Sequence, residues 1–202
     1  MKLLPEVHCS VANIISIDPG TETLGLCIMS VDVDTLEITS TQCRTYTGSK
    51  LPSVLFQEDN YNARYYRIKS HCDNLKKILL EVNPLFIVCE SPFYNSRRPN
   101  AFEALTQVTT NLLNTCYEYN CKMPFFYIDP PTAKIAVGAK GNAKKEDMLA
   151  AVKNLTDLNY TGEISFKDLD EHSIDSIARG YSKIVEWRKL RKPPPPNKGK
   201  TK

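Results

Sequence analysis

The chain is predicted to be an α/β domain: a mixed sheet, three antiparallel strands and then parallel strands, flanked by helices. Three observations carry this. Two short apolar runs, NIISID at residues 13–18 and LFIVCE at 85–90, each end in an acid. Residues 13–45 are rich in apolar and β-branched side chains with only short polar breaks. Apolar residues then recur at a spacing of three and four, separated by further apolar runs.

Taken in order, residues 1–12 read as a short extension, and residues 13–18 as a buried strand with Asp18 at its end. Pro19, Gly20 and Gly25 punctuate a turn, and residues 24–30 and 36–45 complete an antiparallel start of three strands. Residues 53–60 read as loop. From Asn62, Tyr65, Ile68, Cys72, Leu75, Ile78, Leu79 and Val82 trace a helix that Asn83-Pro84 ends. Residues 85–89 are apolar throughout, as in a central strand covered on both faces, and deliver Glu90. Helices follow over 99–119, 143–155 and 174–190, with a strand over 125–128 between the first two. The domain therefore spans 13–190, and residues 191–202, a basic proline and lysine tail with nothing apolar to bury, are expected to be disordered.

Composition narrows the function. The 202 residues are 42% hydrophobic and 24% charged, as in one globular domain. No stretch approaches the roughly 18 apolar residues of a membrane span, and the N-terminus lacks a signal-peptide pattern, so a cytoplasmic protein without membrane partners is expected. Seven cysteines without a C-x-x-C pair indicate neither a disulfide framework nor a zinc knuckle. Seven of the 26 basic residues lie in residues 188–202, which hold no acid; the rest of the chain sets 19 cations against 23 acids. Nucleic-acid binding would have to rest on local basic patches and on acids neutralised by metal.

Asp18 and Glu90 each stand where a buried run ends, and an isolated carboxylate there costs several kcal/mol of desolvation. Asp18 could cap the Pro19-Gly20 turn, and Glu90 could pair with Arg97 or Arg98. A third feature favours convergence: His172 and Asp175, three apart at the start of the last helix, share one face. Alone, His172 would read as a cap or surface residue and Asp175 as a solvated acid. Together, carboxylates and a histidine from separate elements form a ligand set for hard divalent cations, which activate water and stabilise the leaving oxygen in phosphodiester cleavage.

These residues carry a family resemblance. IISIDPGTETLG at 14–25 resembles the opening motif of the RuvC resolvases, whose Asp is a metal ligand; Asp18 matches it. CESPF resembles the strand end that carries a catalytic Glu and, three residues on, an aromatic wedge, and matches Glu90 and Phe93. TAKIAVGAKGNAKKEDML resembles the stretch whose lysines contact the scissile region, matching Lys134 and either Lys144 or Lys145. EHSIDSIARG resembles the closing helix motif and assigns His172 and Asp175 as ligands. The four motifs fall in the family's order within residues 13–189.

The resemblance implies an RNase H-like fold, two Mg2+ ions held by Asp18, Glu90, His172 and Asp175, and a homodimeric endonuclease that resolves Holliday junctions and related branched DNA. Many family members have Asp where this chain has His172, and the imidazole moves metal preference toward Mn2+. Phe93 and Tyr94 could stack on unpaired bases or pack on the next helix; Arg97, Arg98 and Lys140, with Lys144 and Lys145, are candidate phosphate contacts. The apolar positions Phe102, Leu105, Val108, Leu112 and Leu113 fit a dimer interface and a core equally well. An actin-like ATPase or sugar kinase shares the Asp18-Pro19-Gly20-Thr21 pattern, but needs two such domains around its nucleotide, so no nucleotide cofactor is expected. Another RNase H-like activity, on flaps, other branched DNA or RNA, and a catalytically silent junction-binding protein remain as alternatives.

Overall fold

In the computed structural model, which describes residues 10–49, 60–94, 96 and 99–191, strand β1 (Val11–Pro19) runs through the centre of a five-stranded sheet of order β3-β2-β1-β4-β5. β2 (Thr23–Asp32) and β3 (Ile38–Thr47) extend the sheet antiparallel on one side. β4 (Phe86–Glu90) and β5 (Phe125–Ile128) extend it parallel on the other. The mixed sheet is the predicted one. β1 begins at Val11, so the last two residues of the stretch read as an extension belong to the sheet.

Both faces of the central strands are covered, which is why their sequences are solidly apolar rather than alternating. Ile15, Ile17, Ile87 and Cys89 face α1 (Asn60–Val82) and α2 (Pro99–Tyr119). Ile14, Phe86 and Val88 face the opposite layer, made by α3 (Pro130–Ala136), α4 (Lys145–Lys153) and α5 (Glu171–Arg191). There the Phe86 ring meets Phe126 and Trp187 edge-on at centroid distances of 5.5 and 5.8 Å. Val108 and Leu112 of α2 are fully buried in the first of these layers, which assigns them to the core; Phe102, Leu105 and Leu113 are half-buried. Cys27, Cys43, Cys72, Cys89, Cys116 and Cys121 are free thiols.

Three differences from the sequence expectation have physical causes. Helix α3 was not expected; Asp129 caps it, accepting a 2.9 Å hydrogen bond from the Thr132 N–H, and Pro130 opens it where a missing N–H costs nothing. Helix α5 starts at Glu171, three residues ahead of the predicted start, because Asp170 accepts the Ser173 N–H at 2.7 Å. Burial pushes the Asp170 carboxyl up, but this cap outweighs it and holds the group below its ordinary value. Gly25 is not in a turn. It lies within β2, directly opposite Asp18. Of the loop read at 53–60, Asn60 already belongs to α1 and the rest lies outside the described residues, as do most of the N-terminal extension and the tail beyond Arg191.

The C-terminal end of α5 is tied to the β2–β3 connection. Leu36 holds φ 59°, a left-handed conformation that costs a non-glycine residue about 1–2 kcal/mol. Its side chain is buried, and its carbonyl accepts the Arg188 Nε and Nη2 hydrogens at 3.0 and 2.8 Å. Arg188 Nη1 also pairs with Asp157. Burial pushes the Asp157 carboxyl up, and the bonds from Arg188 and Tyr181 overcome this and set it below the usual carboxylate range. A depressed folded pKa contributes stability above the unfolded value that is lost as pH falls through the folded one. Arg188→Ala is expected to cost about 1.5–3 kcal/mol in urea unfolding at neutral pH. The loss should shrink at acid pH, and a pH-independent loss would remove Asp157 from the account.

Candidate active site

Strand alternation places the two strand-end acids on one face. Side chains two apart point the same way, so Asp18 follows Ile14 and Ser16 toward α5, and Glu90 follows Phe86 and Val88. The parallel register sets Ile17 beside Cys89, which puts Asp18 and Glu90 next to each other at the carboxyl ends of adjacent strands. Ser16 then seats the helix, its hydroxyl donating to the Ser176 carbonyl at 2.7 Å.

Helix α5 brings up the remaining groups. His172 Nδ1 lies 2.7 Å from Asp18 Oδ2. This hydrogen bond raises the His172 pKa above its ordinary value against the opposing effect of burial. Asp175, one turn on, is pushed up to about 6, first by burial and then by the charge of Asp18, while Lys134 pulls it down. The close approach of α5 depends on Gly25, where an added Cβ would stand 2.6 Å from the His172 carbonyl oxygen.

One member of the site was not anticipated. Arg179, a further turn along α5 and only 3% exposed, sets Nη2 3.0 Å from Asp18 Oδ1 and pairs the same nitrogen with Glu90 Oε2. Burial lowers its pKa, with the Asp18 charge opposing, but a guanidinium stays charged in proteins. Its signal in the sequence was position: it stands four residues after Asp175, on the same helix face.

The lysines divide. Lys134 donates to the Ala143 carbonyl at 2.7 Å and acts on Asp175 through its charge. The Lys145 ammonium pairs with Glu171, the neighbour of His172. Lys144 and Lys140 are exposed; the Lys144 N–H bonds to Asp147 Oδ2 at 3.1 Å at the start of α4. Phe93 and Tyr94 are exposed just beyond Glu90, with the Tyr94 ring edge-on to Phe102 at 5.7 Å. Arg97 and Arg98 lie outside the described residues.

The donor set suits a divalent cation: carboxylate oxygens and one imidazole. Among the described residues, however, no three His, Cys, Asp or Glu side chains are gathered as a ready-made cage. Asp18 and Glu90 turn to Arg179, and His172 turns to Asp18.

A five-stranded mixed sheet of this order, with acids at the ends of its central strand and that strand's parallel neighbour and helices on both faces, is the arrangement of the RNase H-like fold. Within that fold class the chain is similar to RuvC proteins. It is 25% identical over 172 residues to the crossover junction endodeoxyribonuclease RuvC of Rickettsia conorii, covering 85% of this chain and 96% of that protein. The RuvC of Rickettsia africae matches to the same extent, 25% over 172 residues, again covering 85% and 96%. Thermus thermophilus RuvC superposes with a TM-score of 0.58 at 20% identity, covering 88% of this chain and 96% of that one. The same protein in complex with a Holliday junction substrate gives 0.62 at 17% identity, with the same 88% and 96% coverage. The yeast mitochondrial Holliday junction resolvase gives 0.56 at 14%, covering 88% and 82%. No family model matches the chain.

Proposed function

We propose that this chain is a structure-selective, metal-dependent endonuclease that resolves Holliday junctions and related branched DNA by paired symmetric nicks. The observation that supports the reading is that Asp18 and Glu90, at the ends of adjacent strands, share Arg179 while His172 contacts Asp18. Residues 13–190 act as one nuclease domain in the cytoplasm. No described helix is long and apolar enough to cross a membrane.

Asp18, Glu90, His172 and Asp175 hold two Mg2+ ions, with Mn2+ an accepted substitute. Once bound, the ions supply Lewis acidity for the attacking water and the leaving oxygen. The chain's own groups do the rest. Asp18 sits between the Glu90 and His172 sides and serves both. Lys134 offsets the charge beside Asp175. Phe93 and Tyr94 offer faces on which unpaired bases stack, and Lys140, Arg97 and Arg98 hold backbone phosphates. Two copies related by a twofold axis match the symmetry of a four-way junction, so the working form is a homodimer.

Lys145 is the better placed of the two adjacent lysines. Its partner Glu171 is partly exposed, so their ion pair is weak and is readily exchanged for a scissile-strand phosphate. Lys145→Ala is expected to slow cleavage by about tenfold to a hundredfold, and Lys144→Ala by much less. Full activity in both variants would remove this role.

The deciding experiment offers a synthetic four-way junction beside linear duplex, flap and RNA–DNA hybrid, with Mg2+, Mn2+ or EDTA. Symmetric nicking of the junction alone, abolished by EDTA, is the expected result. Cutting of the flap or the hybrid instead would keep the site and change the substrate. Binding without cleavage in any metal would favour a silent junction-binding protein.

A further inference from the structure

Arg179 is held in an unusual way for a buried arginine. One nitrogen, Nη2, serves both Asp18 and Glu90, whereas Nε and Nη1 are buried without a hydrogen-bond partner among the described residues. A guanidinium kept only for stability would use its planar fork, because unpaired buried donors are costly. The contact therefore places one positive charge between two carboxylates at the expense of two unsatisfied nitrogens. It projects from the helix that carries His172 and Asp175.

We propose that Arg179 is a positioning residue, a built-in cation that keeps Asp18 and Glu90 together in the metal-free protein and competes with a divalent ion for that pair. Loading on the Asp18–His172–Asp175 side then comes first, and loading on the Glu90 side requires the Arg179 contact to be exchanged. Glu90 thereby becomes the element through which the concentration of divalent cation controls the site. The inference rests on the nuclease reading only in taking these four residues as ligands.

The test is Mn2+ binding to the metal-free protein without DNA, followed by calorimetry, for wild type, Arg179→Met and Arg179→Lys. Removing a unit charge a few ångströms from the ion is expected to tighten Mn2+ binding by about tenfold or more in Arg179→Met. Arg179→Lys, which keeps the charge, should stay near wild type. Should Arg179→Met be unfolded without metal, Mn2+ is expected to restore its helical circular dichroism. A folded Arg179→Met with wild-type or weaker affinity overturns the proposal, as does an unfolded one that Mn2+ does not restore. Cleavage of junctions by the wild type is scored separately. Tighter binding in Arg179→Met beside a wild type that cuts no branched DNA would keep the role of Arg179 and remove the resolvase reading; the reverse pattern would remove Arg179 alone.

Discussion

Asp18→Asn is expected to lower junction cleavage by about a thousandfold or more, the loss that accompanies several kcal/mol of transition-state charge stabilisation. Asp18 is the one acid in contact with both sides of the site, His172 on one oxygen and Arg179 on the other. Asparagine keeps the shape of the side chain and an oxygen that can accept from Arg179, but removes the charge that a cation needs. Binding of the junction in EDTA should persist, because the phosphate contacts proposed above are lysines and arginines rather than Asp18. A gel-shift assay beside the cleavage assay reads both quantities. Cleavage that survives in Asp18→Asn would take the residue out of the site.

The second large effect is expected far from any charge. In Gly25→Ala the new methyl group meets the His172 carbonyl oxygen at 2.6 Å and its carbonyl carbon and Cβ at 2.8 Å. Backbone stands in the way, so the first turn of α5 has to move. Overpacking of this kind costs about 1–3 kcal/mol, and a displacement of about 1 Å at a catalytic group can cost a hundredfold in rate. Reduced cleavage with a melting temperature only a few degrees lower is the expected pattern. Unchanged cleavage would mean that the helix terminus adapts without carrying His172 and Asp175 with it.

The same glycine marks a limit of the sequence. A glycine two residues into a run of strand formers was read as turn punctuation, because nothing local distinguishes a bend from a point where another backbone passes close by. That requirement is set by a helix almost 150 residues further along, and no local pattern contains it. The runs NIISID and LFIVC were legible for the opposite reason: burial on both faces leaves an unbroken apolar signature. The limits of α2 and β5 were equally clear, bounded by Pro99 and by a short apolar run. Helix α3 was missed although Asp129 and Pro130 mark its start, since seven residues are too few to show a helical period.

Asp18 and Glu90 are legible as acids at the ends of buried runs; the structure joins them through Arg179 and sets His172 against Asp18, while no three His, Cys, Asp or Glu side chains among the described residues form a ready-made cage. Arg179 was not seen. A lone cation in a helix usually lies in water, and the neighbouring Arg97 and Arg98 offered a more obvious partner for Glu90. Its burial follows from tertiary packing: Ser176 and Gly180 on the same helix let α5 lie close to the sheet, an added Cβ at Gly180 meeting the Ser16 hydroxyl oxygen at 2.7 Å.

Helix α5 bears His172, Asp175 and Arg179 near one end and, near the other, Arg188, whose grip on Leu36 closes the far side of the domain. Chemistry and architecture therefore share a single rod. A tilt of α5 that moved His172 and Asp175 would also pull on the Arg188–Leu36 bonds. In the proposed nuclease, fitting to differently shaped branch points would then fall to parts outside α5, such as the lysine-bearing stretch between α3 and α4.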